Sequence, residues 1–468
     1  MPCPMPRATP HPIRRLLARF RDDARGAIVV LAAILFPVLI GGLGLWVETG
    51  YWYHMQRKVQ HAADTAAFTA VVRLRAGDAL SARDAAARRV ALASGWIDGA
   101  ASDDFTVYPV TVSGSLDAGT LTVTRQSAVT SATNGLGVTL RETHPRWFTS
   151  LFLGGRATLA ASAVAQIKAG TSAACMLALS KTAPGAITVG GSTAVTLNGC
   201  DMATNSASAT AFSMGNSGSS LTTGCISAVG GAVTGPGLTL TSPSCPEVVT
   251  GAAEARDPYA AVAEPALHGP CETSRVGKNG ETTRVVPSNL HPSGVKSIRF
   301  CKGLDLNGAV ELEPGLYIIE GGSLTVNGGA VGQTIPTSIK TVANALGQKG
   351  VTFLIAPTAD VRLNGTVTMD LAAPTTGPYS GLLFFGSRSG TTSSFKINGG
   401  SDQTLQGAIY APASLVDYVG NATTDGRNGC TQIVADRISF SGNSTLSANC
   451  ALSGTSSLYS FEPVGLVM

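Results

Sequence analysis

Charge is scarce in this sequence. Asp, Glu, Lys and Arg make up 13% of 468 residues, the formal net charge is +4, and aromatics reach only 6%. No basic face interleaved with aromatics exists for nucleic acid to grip, which argues against nucleic acid as a partner. Catalytic signatures are missing as well: there is no G-x-S-x-G, no H-E-x-x-H, no P-loop and no dinucleotide fingerprint. The six histidines, at 11, 54, 61, 144, 268 and 291, share no spacing that would set two on one face for a metal. The expectation is a protein that is not an enzyme and takes no cofactor and no metal. Among solenoid glycan-active enzymes, carboxylates come from successive turns. That makes Asp305, Asp360, Asp402 and Asp436 the candidates to weigh against solvated turn residues, and Asp402 and Asp425 lie in Gly, Asn and Thr-rich loops that would suit calcium.

What is present is one long apolar run. Residues 26–47, GAIVVLAAILFPVLIGGLGLWV, carry no charge; at 1.5 Å per residue they reach roughly 33 Å, enough for a bilayer core of about 30 Å. Arg7, Arg14, Arg15, Arg19, Arg21 and Arg25 precede it, and Trp46, Tyr51, Trp52 and Tyr53 sit where it would leave the hydrocarbon. These flanks predict a single transmembrane helix with residues 1–25 as a cytoplasmic basic tail, inner-membrane lipid around the helix, and the bulk of the chain periplasmic. The competing reading is a cleaved signal peptide, but the run is long for one and no A-x-A site follows.

Nine cysteines fit that topology. Cys3 precedes the span, while Cys175, Cys200, Cys225, Cys245, Cys271, Cys301, Cys430 and Cys450 all follow residue 170. An even set without C-x-x-C spacing belongs on the oxidising side as disulfides and not around zinc. The intervals suggest neighbour pairing, Cys175 with Cys200, Cys225 with Cys245, Cys271 with Cys301 and Cys430 with Cys450, out of 105 arrangements.

Between span and cysteines, residues 48–168 read as a membrane-proximal α+β domain. Val59, Ala62, Ala63, Ala66, Ala67, Ala70 and Val71 form a small-residue stripe at helical spacing, which suits another helix or the protein's own strands. A second helix is expected over 81–94, with Ser81 and Asp84 at capping-box spacing and Gly95 past its end. Four alternating segments then follow, FTVYPVTVSG, GTLTVTRQSAV, GVTLRE and ATLAASAVAQI. The HPRWFTSLFLGG stretch before the last is expected to be a core-covering crossover, with His144 and Arg146 in a solvated turn.

Residues 169–468 form a Gly, Asn and Thr-rich region that repeats. Apolar-x-apolar-Asn-Gly begins at Val195, Leu304, Leu324, Val361 and Phe395, and glycine-led apolar strands begin at Gly315, Gly350, Gly381 and Gly407, with spacings of 35, 31 and 26 residues. Two strands and a tight turn per unit predict a right-handed β-solenoid. The alternative takes each Asn-Gly as a hairpin turn in an antiparallel sandwich or hairpin array. Either way the fold class is mainly β. A row of polar residues, Asp305, Thr325, Arg362 and Lys396, one per Asn-Gly unit, would serve an adhesin that binds cell-wall glycan or another surface.

The N-terminal region resembles the TadG-like proteins of tight-adherence (Flp) pilus assembly. The resemblance lies in RDDARGA, the apolar helix, and VETGYWYHMQRKVQHAADTAAFTA, where Glu48, Tyr51, Gln60 and Ala62-Ala63-Asp64 occupy the places of that family's acidic, aromatic, Gln and Ala-Ala-Asp positions. It implies a membrane-anchored structural component of a Flp-type pilus or related secretion apparatus, with other pilus-assembly proteins as partners. Two features depart from relatives: Leu31 stands where a prepilin peptidase substrate cut at Gly26 would carry Glu, and the D-x-S-x-S of a von Willebrand A domain is missing.

Overall fold

The computed structural model describes residues 25–99, 104–114, 120–130, 133–168, 173–215, 218–243, 245–326, 335–363, 367–389, 394–399, 403–420, 422–424, 430–447, 450, 453–460 and 464–467. The chain is mainly β, with one long apolar helix near its start. It divides into two compact units, one within residues 1–71, 79–166 and 466–468, the other within residues 72–78 and 167–465.

In the first unit, helix α1 (Arg25–Arg75) runs unbroken from the apolar segment into the Ala stripe, and α2 (Leu80–Ala93) follows. The expected capping box is not formed: the N-cap is Ala79, with no side-chain cap bond. The C-terminal end does close as expected. Gly95 takes a left-handed φ of 91°, and the N–H groups of Gly95 and Trp96 reach Leu92 and Ala91 carbonyls in the Schellman pattern. The strands β1 (Phe105–Ser113), β2 (Thr122–Arg125), β3 (Gly135–His144) and β4 (Ala157–Ile167) lie antiparallel in the order β2-β1-β3-β4.

The Ala stripe is fully buried within this unit, and beside it the Gln56 and Gln60 amides donate to the carbonyls of Ala160 and Ser162 on β4, at 2.8 and 3.1 Å. The stripe therefore covers the protein's own strands and offers no face to another protein. His144 pairs with Ala157 across the β3/β4 ladder, so the connection over 145–156 is a hairpin loop, not a crossover. Leu151, Phe152 and Leu153 stand out from the unit instead of covering a core.

Among the described residues the second unit holds a curled sheet of 22 strands and a second sheet of five, their pairings almost wholly parallel. Three ladders take successive segments of the chain in turn. Leu304–Leu306, Ala309–Leu312 and Gly315–Ile319, for example, pair not with one another but with Ser323–Val326, Ser338–Thr341 and Val351–Ile355 of the next turn. The turn that begins at Leu304 thus holds three strands where the sequence suggested two, the third being the short segment after Asn-Gly. The strands that flank Asn198-Gly199 and Asn307-Gly308 make no hairpin with each other; there the antiparallel reading is corrected. Gly308 takes a φ of 72° at this corner, and a Cβ there would lie 2.0 Å from the Lys278 carbonyl oxygen, so glycine is required. Asn327-Gly328 and Asn364-Gly365 fall outside the described residues.

Alternation explains one sequence signature and burial on two sides the other. In Val361-Arg-Leu, Val361 and Leu363 point into the core while Arg362 is exposed. The glycine-led strands are apolar at nearly every position because both their faces are covered; Thr352 is the exception in Val351–Ile355, and its hydroxyl donates to the Leu382 carbonyl at 2.8 Å. Tyr317, Phe353 and Phe384 stack inward, with ring centroids 5.5 and 5.3 Å apart, while Leu316, Leu354 and Phe385 pack outward in a cluster with Tyr259 and Leu458.

The spatial order of turns departs from the order in sequence. Along the ladder of glycine-led strands the turns run from Lys296–Phe300 up to Thr431–Phe440, and the next rung is Ala174–Ala178, the first strand of the region. Ile433 faces Met176, Phe440 faces Val189, and Ser447 faces Asn198. The last turn of the chain is thereby seated on the first. Disulfides join Cys175 to Cys200, Cys225 to Cys245, Cys271 to Cys301 and Cys430 to Cys450, across 20 to 30 residues each. Loop closure on that scale is worth about 3 kcal/mol per bond in the chain-entropy account.

Candidate functional site at the exit of the apolar helix

The apolar part of α1 ends at Val47, and the next residue carries a charge. The Glu48 side chain is only 2% exposed, because the loop after β3 folds over it. Its carboxylate accepts the backbone N–H of Trp147 at 3.0 Å, the N–H of Thr149 at 2.6 Å and the Thr149 hydroxyl at 2.9 Å. Burial raises the Glu48 pKa, but these bonds and the nearby Arg146 charge outweigh it, and the net direction is down.

One turn further on, Tyr51 lies against Trp147 with centroids 4.6 Å apart and places its hydroxyl 3.3 Å from His144 Nδ1. His144 is buried and not in a solvated turn; its Nε2 lies 2.9 Å from Glu142 Oε1, and Lys58 Nζ lies 3.2 Å from the same oxygen. Gln60 braces the next turn, donating to Asp64 and to the Ser162 carbonyl. Glu48 and Tyr51 therefore fasten α1 to the end of β3 and the loop after it, and Gln60 fastens it to β4.

A lowered carboxylate pKa in the folded state means stability that is present above the unfolded value of about 4 and is lost as pH falls through the folded value. The Trp147 and Thr149 amides should accordingly be protected from hydrogen exchange at neutral pH and lose that protection in acid. Glu48→Ala should remove it at every pH. Protection unchanged in Glu48→Ala would mean that the loop is held by something else.

Residues 26–93 match the family model Tad, described as "Putative Flp pilus-assembly TadE/G-like". The N-terminal part of this chain is TadE/G-like. No curated protein and no solved structure matches the chain. The TadE/G-like segment covers almost all of α1 and the whole of α2, and its Glu48, Tyr51 and Gln60 are the three fastening residues. The description of that family is one of pilus assembly.

The second unit places the other candidates. Asp305, Thr325, Arg362 and Lys396 are consecutive partners on one ladder, so the polar row exists as a row. Asp305 faces Arg275 on one side and Thr325 on the other, and no rung sets two carboxylates against each other there. Asp360 accepts the Ser394 N–H and pairs with Arg362, and Asp436 pairs with Arg437. Asp402 and Asp425 lie outside the described residues. Among the described residues no group of three His, Cys, Asp or Glu is placed to hold a metal ion.

A buried cluster that the sequence did not reveal joins Asp257, Tyr259, Arg388, Tyr410 and Gln432. Tyr410 donates to Asp257 at 3.0 Å, Tyr259 donates to Gln432 at 2.6 Å, and Arg388 donates to the Tyr259 and Val262 carbonyls. Burial and the Asp257 charge push the Tyr410 hydroxyl up to about 12. Every member has a partner, so the cluster is a clasp that fixes the 257–262 segment to the ladder.

Proposed function

We infer that this chain is a non-enzymatic structural component of Flp-type (Tad) pilus assembly, anchored in the bacterial inner membrane by α1, with residues 1–25 cytoplasmic and both units periplasmic. The observation that carries the reading is that the TadE/G-like segment coincides with an apolar helix whose first polar residue, Glu48, is built into the folded unit. A scaffold needs that rigidity: α1 fixes position, and the second unit supplies length. We read the second unit as a right-handed β-solenoid with three strands per turn. Its parallel register and inward-stacked aromatics support this, and its four disulfides suit an oxidising compartment. Because the Ala stripe is buried, contact with other assembly proteins falls to the second unit.

The in-register polar row favours a second reading, an envelope-anchored module that binds cell-wall glycan or another surface. Affinity purification of the full chain from cross-linked membranes, with sedimentation on peptidoglycan run in parallel, separates the two. The assembly reading expects pilus-assembly components in the eluate and no sedimentation. Recovery of none of them, with sedimentation, would replace it by the second.

A further inference from the structure

The loop over 145–156 is unusually apolar for a connection between two strands of a small unit. Between Arg146 and Arg156 it reads WFTSLFLGG, without a charge. Leu151 and Phe152 are each 75% exposed, and Trp147 is 55% exposed even with one side against Tyr51, so most of this apolar surface is left uncovered by its own unit. Phe148 points the other way, against α1: a Cβ built on Gly44 would lie 2.6 Å from its ring, and one on Gly41 would lie 3.8 Å from it. Positions 41 and 44 precede Val47 by six and three residues, which at 1.5 Å per residue places the Phe148 ring roughly 5 to 9 Å inside the apolar end of α1. Around it, Ile40, Leu43, Gly44 and Val47 with Trp147 and Phe148 line a groove of about 420 Å³, which Glu48, its carboxylate taken up by the loop, closes at one end.

Backbone inside a bilayer must satisfy its own polar groups, and five N–H groups of this loop find partners within the unit. The N–H groups of Trp147 and Thr149 are taken by Glu48, and those of Leu151, Phe152 and Leu153 by carbonyls of the short 3-10 helix Thr149–Leu151 and of Phe148 before it. The Ser150 hydroxyl donates to the Trp147 carbonyl. The two arginines flank the apolar stretch as cations flank membrane-seated segments, and Trp147 has the side chain that favours the interface.

We propose that residues 147–153 form a second membrane-seated element, a foot whose exposed apolar tip enters the leaflet on the side of the folded unit, with phospholipid acyl chains as the occupant of the groove beside α1. This rests on the reading of α1 as a membrane span. The continuity of the tip with the exposed apolar surface of α1 commits the surface to lipid. A helix alone leaves the first unit free to rotate about the membrane normal. A foot bolted to the same helix by Glu48 fixes the azimuth and tilt of the first unit.

The test uses the full chain with Cys3→Ser, bearing one further cysteine at a time, Leu35→Cys, Leu151→Cys or Leu92→Cys, labelled with bimane. Each is reconstituted in vesicles of phosphatidylcholine and phosphatidylglycerol that contain acyl-chain spin labels. All three positions are exposed, so the substitutions leave the core untouched. The expected result is loss of emission at 35 and at 151, and none at 92 on α2. Quenching at 35 with none at 151 would overturn the foot and leave the anchor reading standing. Absence of quenching at both would remove the anchor reading, and the foot with it.

Discussion

Phe440→Ala is expected to destabilise the second unit by about 3–5 kcal/mol, the usual cost of emptying a fully buried aromatic site, and to loosen two segments far apart in sequence. Phe440 is 1% exposed, stacks on Tyr418 with centroids 5.6 Å apart, and faces Val189 across the seam between the last turn and the first. Removing its ring leaves a cavity against both neighbours. With a domain's whole stability of about 5–15 kcal/mol, a loss of that size is readily measured. In hydrogen exchange on the full chain in detergent, protection should fall both over 431–440 and over 187–189. Loss confined to 431–440 would mean that the seam carries no energy. Further contacts hold it: Asn443 Oδ1 accepts the Ala194 N–H at 2.8 Å, and Ser460 donates to Asp201 at 2.7 Å.

That seam marks the limit of what the sequence allowed to be read. Repeated Asn-Gly corners and glycine-led strands announce that turns stack, because each signature follows from a local requirement: a left-handed corner at Gly308, or burial on both faces for Val351–Ile355. Which turn stacks on which is another matter. Successive turns carry interchangeable patterns, so the pattern cannot say that Ile433 meets Met176. The third strand of such a turn escaped notice for a similar reason, since Ala309–Leu312 and Ser338–Thr341 are short and lack a shared motif. Cysteine neighbours were legible through spacing, because bonds that link adjacent turns close loops of about one turn's length.

At the exit of α1, the sequence marked Glu48, Tyr51 and Gln60 through family resemblance but gave no role to any of them. Their roles depend on partners about a hundred residues away, Trp147, Thr149 and Ser162, which periodicity cannot supply. The loop that holds Trp147 and Thr149 was misread as core cover because apolar content alone does not distinguish a buried surface from an exposed one.

The largest effect is expected in the cell. Residues 167–465 hold most of the described strands and all four disulfides, whereas the TadE/G-like match ends at residue 93. A chain stopped after Lys168 would keep the helix, the Glu48 fastening and β1 to β4, yet lose the second unit, to which we assign the contacts with assembly proteins. The most direct measurement is therefore a count of surface pili after deletion of the gene, with the full chain or the shortened chain supplied in return. The account predicts that pili disappear and that only the full chain restores them. Pili in normal number on the deletion strain would contradict it.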